Sequence, residues 1–289
     1  MDKTQDWRYS LEYGWVVYDK SMLLHTVVSD MIELIRCSDW SHYYESLHNY
    51  NNKIKYLEFS EFIKRHELMH SDIKDIKSIY RGLHRNFFNI KLNKINEIFS
   101  SNNTKSLWHI THIKNVEGIN KFGLLNRYSA ELNATNMDIS DGGVQNRRVY
   151  KEECYYRSVK EYVPLYVNQN NSMMSSLKYR FSLENLCLIE IDLDVMLLNR
   201  FVFTDGNAAS RDTKIYCRIQ NFLNLPWDVI NANMWSEFKD GKRKRSSEVL
   251  IYEKIDKKYI KSIHLPFESS LNLMPKINIK TKVNSGLFY

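Results

Sequence analysis

A glutamate stands where a basic segment of the chain turns into an apolar, β-prone run. Glu248 follows Lys242–Ser247 (KRKRSS) and precedes Val249–Ile251 (VLI). A carboxylate at the mouth of a strand is held rigidly, so it could stabilise positive charge that develops in a transition state. The basic residues before it could bind an acidic polymer through its phosphates. The alternative is an ordinary strand-edge glutamate beside a solvated run of charge.

Four further segments carry side chains suited to binding or catalysis: His109–Asn115, Arg147–Arg148, Glu161–Tyr166 and Phe203–Ser210. In the first, a histidine and a threonine alternate along a predicted strand, so both face one side and could bond a polar ligand. Each segment also has a plain structural interpretation. The His-x-Thr pair could be structural, and the two arginines could be solvated. The final tyrosine of the third segment could be a core aromatic, and the Asp-Gly of the fourth could form an ordinary turn.

A rival motif lies earlier in the chain. His66–His70 reads His-Glu-Leu-Met-His, and on a helix its two histidines would share one face, where they could hold zinc while Glu67 activates water. The flanks are polar, the extension that supplies a third histidine is missing, and no third ligand is evident, although Glu58, Glu61 and His84 are near in sequence. We therefore expect a solvated helix with two exposed histidines and no metal.

Taken in order, the other segments resemble the DarT family of DNA ADP-ribosyltransferase toxins. Family members read roughly His-Ile-Thr-His-Ile-x-Asn, a double arginine, Asp-Tyr-Val-Pro-Phe-Tyr, Phe-Thr-Asp-Gly-Asn-Ala, and then the catalytic glutamate before an apolar strand. The counterparts here are His109–Asn115, Arg147–Arg148, Glu161–Tyr166, Phe203–Ser210 and Glu248, within roughly residues 105–267. The chain departs from the family at 168–174, where an expected arginine is missing, and this bears on substrate contacts more than on NAD binding.

The resemblance implies transfer of ADP-ribose from NAD to a nucleobase of single-stranded DNA, thymine or guanine. Glu248 would be the catalytic carboxylate, because breaking the nicotinamide–ribose bond develops positive charge on the ribose. Arg148, the second catalytic residue, would hold the NAD pyrophosphate or, as the family implies, help to deprotonate the target base. Since an arginine rarely gives up its proton, we expect it to orient the substrate and stabilise charge.

The resemblance also implies the binding residues. Those for NAD are His109, Ile110, Thr111, Gly118, Leu125, Arg148 and Tyr166. Those for nucleic acid are Asn207 and the basic run Lys242, Arg243, Lys244 and Arg245.

The same resemblance implies a bacterial toxin or phage-defence effector, restrained by an antitoxin that reverses the modification. Three alternatives stay open at this point: an RNA substrate, a zinc metallopeptidase built on His66–His70, and a nucleic-acid-binding module without activity. Release of nicotinamide on incubation with NAD and DNA would distinguish an ADP-ribosyltransferase from a metallopeptidase or an inactive binding module.

Composition sets the wider bounds. The 289 residues are 43% hydrophobic, enough for a sizeable core, and the net charge of +7 favours acidic partners such as nucleic acid. The four cysteines form no Cys-x-x-Cys pair, which is typical of isolated thiols in a reducing cytoplasm. The N-terminal residues lack the apolar region of a signal peptide, and no apolar run is long enough to span a membrane. We therefore expect a cytoplasmic protein.

The site residues need a sheet to position them, and the pattern of the chain changes to supply one. Helical spacing at 20–37, 58–70 and 72–100 predicts a mainly helical region of unknown role over residues 1–103. The polar run at 100–105 is the predicted boundary. Short apolar runs after it predict an α+β domain over 104–289, with a mixed sheet and scattered short helices. The predicted strands are 107–110, 162–167, 186–191, 200–204, 249–252 and 260–265, with a short helix at 116–121.

Overall fold

The computed structural model describes residues 5–10, 14–19, 92–132, 137–139, 143, 147–198 and 201–288. The chain divides into two compact units, Met1–Lys91 and Leu92–Tyr289. This division precedes the predicted boundary after residue 103, because the helix at 92–101 belongs to the second unit. Phe99 in that helix packs edge-on against Phe222 and Trp227, with ring centroids 5.0 and 5.5 Å apart. The roles assigned to the two parts of the chain stay predictions.

Two strands of the first unit are described, β1 (Gln5–Ser10) and β2 (Gly14–Asp19), and they pair in antiparallel register. The sequence patterns did not predict this hairpin. The helices predicted at 20–37 and 58–70, most of the one at 72–100, and the His66–His70 motif lie outside the described residues.

The second unit is built on a mixed sheet. Its strands are β3 Leu107–His112, β4 Leu124–Leu125, β5 Tyr162–Tyr166, β6 Leu186–Ile191, β7 Phe201–Thr204, β8 Ile215–Tyr216, β9 Glu248–Tyr252, β10 Lys254–Ile255, β11 Ile260–Leu265 and β12 Thr281–Val283. Eight of these described strands form one sheet in the order β12-β11-β6-β3-β5-β9-β7-β8, and β4 pairs with β10 in a small second sheet. Neighbours in the large sheet are antiparallel except β11 and β12, which are parallel.

Short helices connect the strands. They are α1 at 92–101, α2 Val116–Phe122, α3 Arg127–Leu132, α4 Ser172–Arg180, α5 Val195–Leu198, α6 Trp227–Ile230 and α7 Gly241–Lys244. Single 3-10 turns occur at Ile113–Asn115, Val159–Glu161, Leu183–Asn185, Ile219–Asn224, Trp235–Glu237, Lys257–Tyr259, Glu268–Leu273 and Ser285–Leu287. The α+β class and each predicted strand of this unit are confirmed.

The apolar runs form the central strands because they are buried along nearly their whole length. The side chains of Leu186–Ile189 and Val249–Ile251 are inaccessible to solvent, as expected for short apolar runs inside a covered sheet. After α2, the chain reverses at Gly123, which has a φ of 80°. A Cβ there would lie 2.2 Å from the carbonyl oxygen of Ile255, so only glycine lets β4 approach β10.

The large sheet is weakly joined at its centre. Strands β3 and β5, both fully described, share one register pair, Trp108 with Tyr166. On its other side β5 pairs along its full length with β9, and Tyr166 lies opposite Glu248. The sheet therefore separates beyond Trp108, next to the strand that begins with the candidate catalytic glutamate.

A polar network on β6 ties the other half of the sheet together. The Glu190 carboxylate accepts hydrogen bonds from Ser106 (2.8 Å), Ser262 (2.7 Å) and His264 (3.1 Å), and Lys261 lies 3.5 Å away. Burial by itself raises the pKa of Glu190, but these donors and the charge of Lys261 outweigh it and lower that pKa to about 2 from 4.5. The ionised carboxylate therefore stabilises the folded protein.

Replacing Glu190 with glutamine should lower the free energy of unfolding near pH 7 by about 1–3 kcal/mol, because the donors lose a charged acceptor. Since the folded-state pKa is depressed, the stabilisation is present above the unfolded-state value of 4.5 and is lost as the pH falls toward 2. Urea unfolding of both proteins from about pH 7 to about pH 3 should show a difference that narrows below about pH 4.5. A constant difference would contradict this assignment, and Glu268→Gln at an exposed position is the control.

Candidate active site

The centre of the site is an ion pair between Arg148 and Glu248, one hundred residues apart in the chain. Arg148 Nη2 donates to both carboxylate oxygens, at 2.6 Å each. Glu248 is fully buried and Arg148 is 7% exposed. Two opposite charges taken out of water stabilise one another only while both are present, so each side chain depends on the other.

The pair keeps Arg148 charged. Burial by itself lowers the pKa of Arg148, but the charge of Glu248 and the hydrogen bond to it more than compensate, so that the pKa lies above its ordinary value. Arg148 Nε is buried with no hydrogen-bond partner among the described residues. The guanidinium is thus a permanent cation with a donor to spare, which suits a phosphate or another acceptor and not the role of a base.

The segment Phe203–Ser210 holds the glutamate in place. Thr204 Oγ1 accepts from the backbone N–H of Glu248 at 3.0 Å and lies 2.6 Å from the Gly206 carbonyl oxygen, to which it donates. The backbone N–H of Ala208 donates to Glu248 Oε1 at 3.0 Å. Glu248 therefore has its backbone fixed by a hydroxyl and its carboxylate fixed by an amide and a guanidinium.

The glycine and the two alanines of this segment are buried. The space beside Gly206 is occupied by Arg243, since a Cβ there would lie 2.5 Å from Arg243 Nη1. Asn207, a predicted nucleic-acid contact, uses Oδ1 to accept from the N–H of Ala209 at 2.8 Å. Its contact with a polymer stays a prediction.

His109 lies on β3 where the sheet separates, and it reaches across to β5. Its Nδ1 lies 2.9 Å from the carbonyl oxygen of Pro164. A carbonyl can only accept, so Nδ1 carries the proton. Burial lowers the pKa of His109, although the bond to Pro164 opposes this, and the neutral ring presents Nε2 as an acceptor. Such an acceptor suits a hydroxyl or amide N–H of a ligand.

Tyr166 lies close to the ion pair, and its contact with NAD stays a prediction. It is 9% exposed and lies opposite Glu248 in register. Burial, and then the charge of Glu248, raise the pKa of Tyr166 above its ordinary value. The phenol therefore stays protonated at neutral pH and is a hydrogen-bond donor.

The remaining residues predicted for NAD are spread more widely. Ile110 packs in the hydrophobic core with Leu186, Leu188 and Met174, so its side chain is not available to a ligand, and its contact with NAD stays a prediction. Thr111 is 4% exposed, and its Oγ1 accepts from Asn115 Nδ2 at 3.0 Å.

Asn115 in turn fixes a distant part of the chain. Its amide accepts from the backbone N–H of Met137 at 2.6 Å and donates to that residue's carbonyl at 2.9 Å. The His109–Asn115 segment thus holds the backbone of Met137 beside β3.

Gly118 and Leu125 do not lie beside Glu248 in the sheet. Gly118 is within α2, and Leu125 on β4 lines an open pocket of about 560 Å³ together with Tyr252 and Lys254. Tyr252 ends the strand that Glu248 begins, which separates the two by roughly 13 Å at the usual rise per residue. The structure therefore does not bring Leu125 to the ion pair, and its contact with NAD stays a prediction.

The basic run before Glu248 divides into two kinds of residue. Arg245 is 4% exposed, and its guanidinium donates to the carbonyl oxygens of Asn170 (2.6 Å), Ala232 (2.9 Å) and Ile230. Arg243 bonds Asp205 and Thr213 at 2.8 and 3.1 Å. These two arginines hold the loop together.

The expectation that the whole run faces the polymer is therefore corrected for Arg245, whose donors are turned inward. Lys242 is exposed and Lys244 is half-buried. These lysines are the members of the run left to face a phosphate.

Thr204 and Ala208 are functional residues that the sequence did not single out. Ala208 acts through its backbone N–H, which every residue except proline carries, so no side-chain pattern could have identified it. Thr204 lies within the Phe203–Ser210 segment, but its bond to the Glu248 N–H depends on β7 lying beside β9. The spacing of residues in the sequence does not reveal that neighbourhood.

Among the described residues, no three histidine, cysteine, aspartate or glutamate side chains are grouped as metal ligands. Of the helices that the structure describes, none is both long enough and apolar enough to cross a bilayer.

Comparison with known proteins places this geometry in a family. The family model described as ssDNA thymidine ADP-ribosyltransferase, DarT, matches residues 108–281. A DNA ADP-ribosyl transferase–DNA ADP-ribosyl glycohydrolase fusion protein of Thermosipho africanus is 30% identical over 179 residues, which are 60% of this chain and 46% of that protein. The chain thus spans about half the length of this curated relative.

Solved structures agree. Thermosipho africanus DarTG in complex with ADP-ribose superposes with a TM-score of 0.58 at 26% identity, over 64% of this chain and 51% of that one. Thermus sp. 2.9 DarT in complex with ADP-ribosylated ssDNA gives a TM-score of 0.56 over 65% of this chain and 97% of that one; at 18% identity it supports the fold alone. With the family model covering more than half of its length, the chain belongs to the DarT family.

Proposed function

We propose that this chain transfers ADP-ribose from NAD to thymidine in single-stranded DNA. The observation that carries the proposal is the buried Arg148–Glu248 pair at the start of β9. The Glu248 carboxylate accepts from Arg148 and from the Ala208 N–H, and its backbone N–H donates to Thr204. The description of the matching family names this reaction, and the Thermosipho relative that joins a DNA ADP-ribosyl transferase to a glycohydrolase supports it.

The reaction needs a carboxylate next to the ribose. As the bond between the ribose C1′ and the nicotinamide nitrogen breaks, nicotinamide leaves with the electron pair and positive charge develops on the ribose. A ring nitrogen of thymine forms the new bond to C1′, and its proton passes to water. Glu248 is fixed in place before the substrate arrives, and a preorganised charge of this kind stabilises the transition state without reorganisation.

Arg148 supplies the complementary charge. In the free protein it neutralises Glu248, so that the carboxylate can stay buried without NAD. Its unpartnered Nε is the donor that would meet an NAD phosphate, and its raised pKa makes it an orienting cation and not a proton acceptor. His109 Nε2 and the Tyr166 hydroxyl are the polar groups that would orient the nicotinamide ribose.

The cellular role follows from the chemistry. Modified thymidine would block use of the DNA strand, so we place the protein among toxins or phage-defence effectors that act on DNA in the cytoplasm. The Thermosipho relative carries a glycohydrolase in the same chain, which supports an antitoxin that removes ADP-ribose as the partner of this protein. RNA is the alternative polymer, and the experiment below includes it.

The test is mass spectrometry of oligonucleotides incubated with the full-length protein and NAD. A single-stranded DNA that contains thymidine should gain one ADP-ribosyl group, and matched oligonucleotides with uridine in RNA, or with no thymidine, should not. Labelling of the RNA alone would replace the proposed substrate, and absence of both labelling and nicotinamide release would refute the proposed activity.

Glu248→Gln should lower the rate of transfer by at least about 10²-fold, because the amide lacks the negative charge that the transition state needs. NAD binding, followed by calorimetry, should change little, since Glu248 is assigned to the transition state and not to the ground state. Glu237→Gln, an exposed position, is the control with the same change of charge. Wild-type turnover by the Glu248 variant would remove this residue from the chemistry.

Lys242→Gln combined with Lys244→Gln should weaken binding of single-stranded DNA and reduce its salt dependence. Two lost phosphate contacts should flatten the plot of log K against log salt by about 1.4. The exposed pair Lys257 and Lys258, changed in the same way, gives a control of equal charge. An unchanged salt slope in the Lys242 and Lys244 variant would mean that these lysines are only solvated.

Arg245→Met should instead lower the free energy of unfolding by about 1–3 kcal/mol, because buried carbonyls lose their donor.

A further inference from the structure

Tyr150 connects the segment that carries Arg148 to the residue that holds Glu248. It lies two residues after Arg148, and its hydroxyl donates to the carbonyl oxygen of Ala208 at 2.7 Å. Ala208 in turn donates its N–H to Glu248 Oε1 at 3.0 Å. Ala208 therefore accepts from Tyr150 through its carbonyl and donates to the catalytic carboxylate through its N–H.

The position of Ala208 matters because its N–H contacts the same oxygen as Arg148. Glu248 Oε1 lies 2.6 Å from Arg148 Nη2, so a shift of the amide changes the geometry of both interactions. The rest of the loop is anchored one residue earlier, where the N–H of Asn207 donates to the Arg243 carbonyl at 3.0 Å. Tyr150 is the side chain that fixes Ala208 itself.

Tyr150 is not a core residue, because its side chain is only partly covered by the protein. Its side chain is 38% exposed, so its ring contributes less to stability than a buried aromatic does. Burial of the hydroxyl, and then the charge of Glu248, raise the pKa of Tyr150. The phenol thus keeps its proton at neutral pH and stays a donor to Ala208.

The geometry points to Tyr150 as a positioning residue for ADP-ribosyl transfer: through Ala208 it sets the orientation of the Glu248 carboxylate and couples it to the segment of Arg148. This inference rests on the proposed function of the site. Tyr150 does not touch the reacting atoms in this role, so its loss should affect the rate more than the binding of NAD.

The test compares Tyr150→Phe with the full-length wild type. The variant keeps the ring and loses the donor, so kcat should fall by about ten- to a hundred-fold, the range expected when a catalytic group is misplaced. KM for NAD should stay within about twofold, because ground-state contacts are retained. Incorporation of p-aminophenylalanine at position 150 restores a donor and should recover most of the rate. Tyr156→Phe is the control, since Tyr156 is in the same segment and is 75% exposed.

The outcomes separate this inference from the proposed function. An active wild type with an equally active Tyr150→Phe variant overturns the inference alone, as does a raised KM with unchanged kcat, which would place Tyr150 on NAD itself. A lost rate that p-aminophenylalanine does not recover also overturns it. A wild type that releases no nicotinamide refutes the proposed function.

A crystal structure of Tyr150→Phe decides the inference independently of activity. We expect the distance from the Ala208 nitrogen to Glu248 Oε1 to exceed about 3.5 Å, the limit of a hydrogen bond. A retained bond in that variant overturns the positioning role.

Discussion

Desolvation of the Arg148–Glu248 ion pair is the constraint on which the rest of the site depends. A carboxylate with no exposure to water is tolerated only if a cation and hydrogen-bond donors replace the lost hydration. The chain supplies these from separate places: a guanidinium from the segment before β5 and a backbone amide from the loop after β7, while a hydroxyl at the end of β7 accepts from the Glu248 N–H. Each of these elements must reach the start of β9, and the strand order β5-β9-β7 is what brings them there.

The separation of the sheet at Trp108 complements this charge arrangement. Strands β3 and β5 share one register pair, Trp108 with Tyr166, and beyond it the His109 ring reaches across to the Pro164 carbonyl. The Glu190 network stabilises the half that contains β6 and β11, and the ion pair stabilises the half that contains β9.

Much of this could be predicted from the sequence, and the limits have physical causes. The apolar runs identified the central strands because burial on both faces leaves a continuous hydrophobic signature. The motif order identified Glu248 and Arg148 as candidates, but their direct contact across one hundred residues depends on the strand order, which local pattern does not fix. Arg245 was misassigned because a basic residue looks the same in a sequence whether it meets a phosphate or the carbonyl oxygens at the end of a short helix. Ala208 was missed because it acts through its backbone.

The alternation within Lys242–Arg245 has a consequence for how such a protein can change. The guanidinium groups of Arg243 and Arg245 are hydrogen-bonded within the protein, whereas the described structure gives the side chains of Lys242 and Lys244 no such role. Substitutions at the two lysines alter the positive charge that faces a nucleic acid strand without removing the hydrogen bonds of the arginines that shape the loop. The charge beside Glu248 can therefore change at two positions while the hydrogen bonds of Arg243 and Arg245, and the geometry of the Arg148–Glu248 pair, are inherited unchanged.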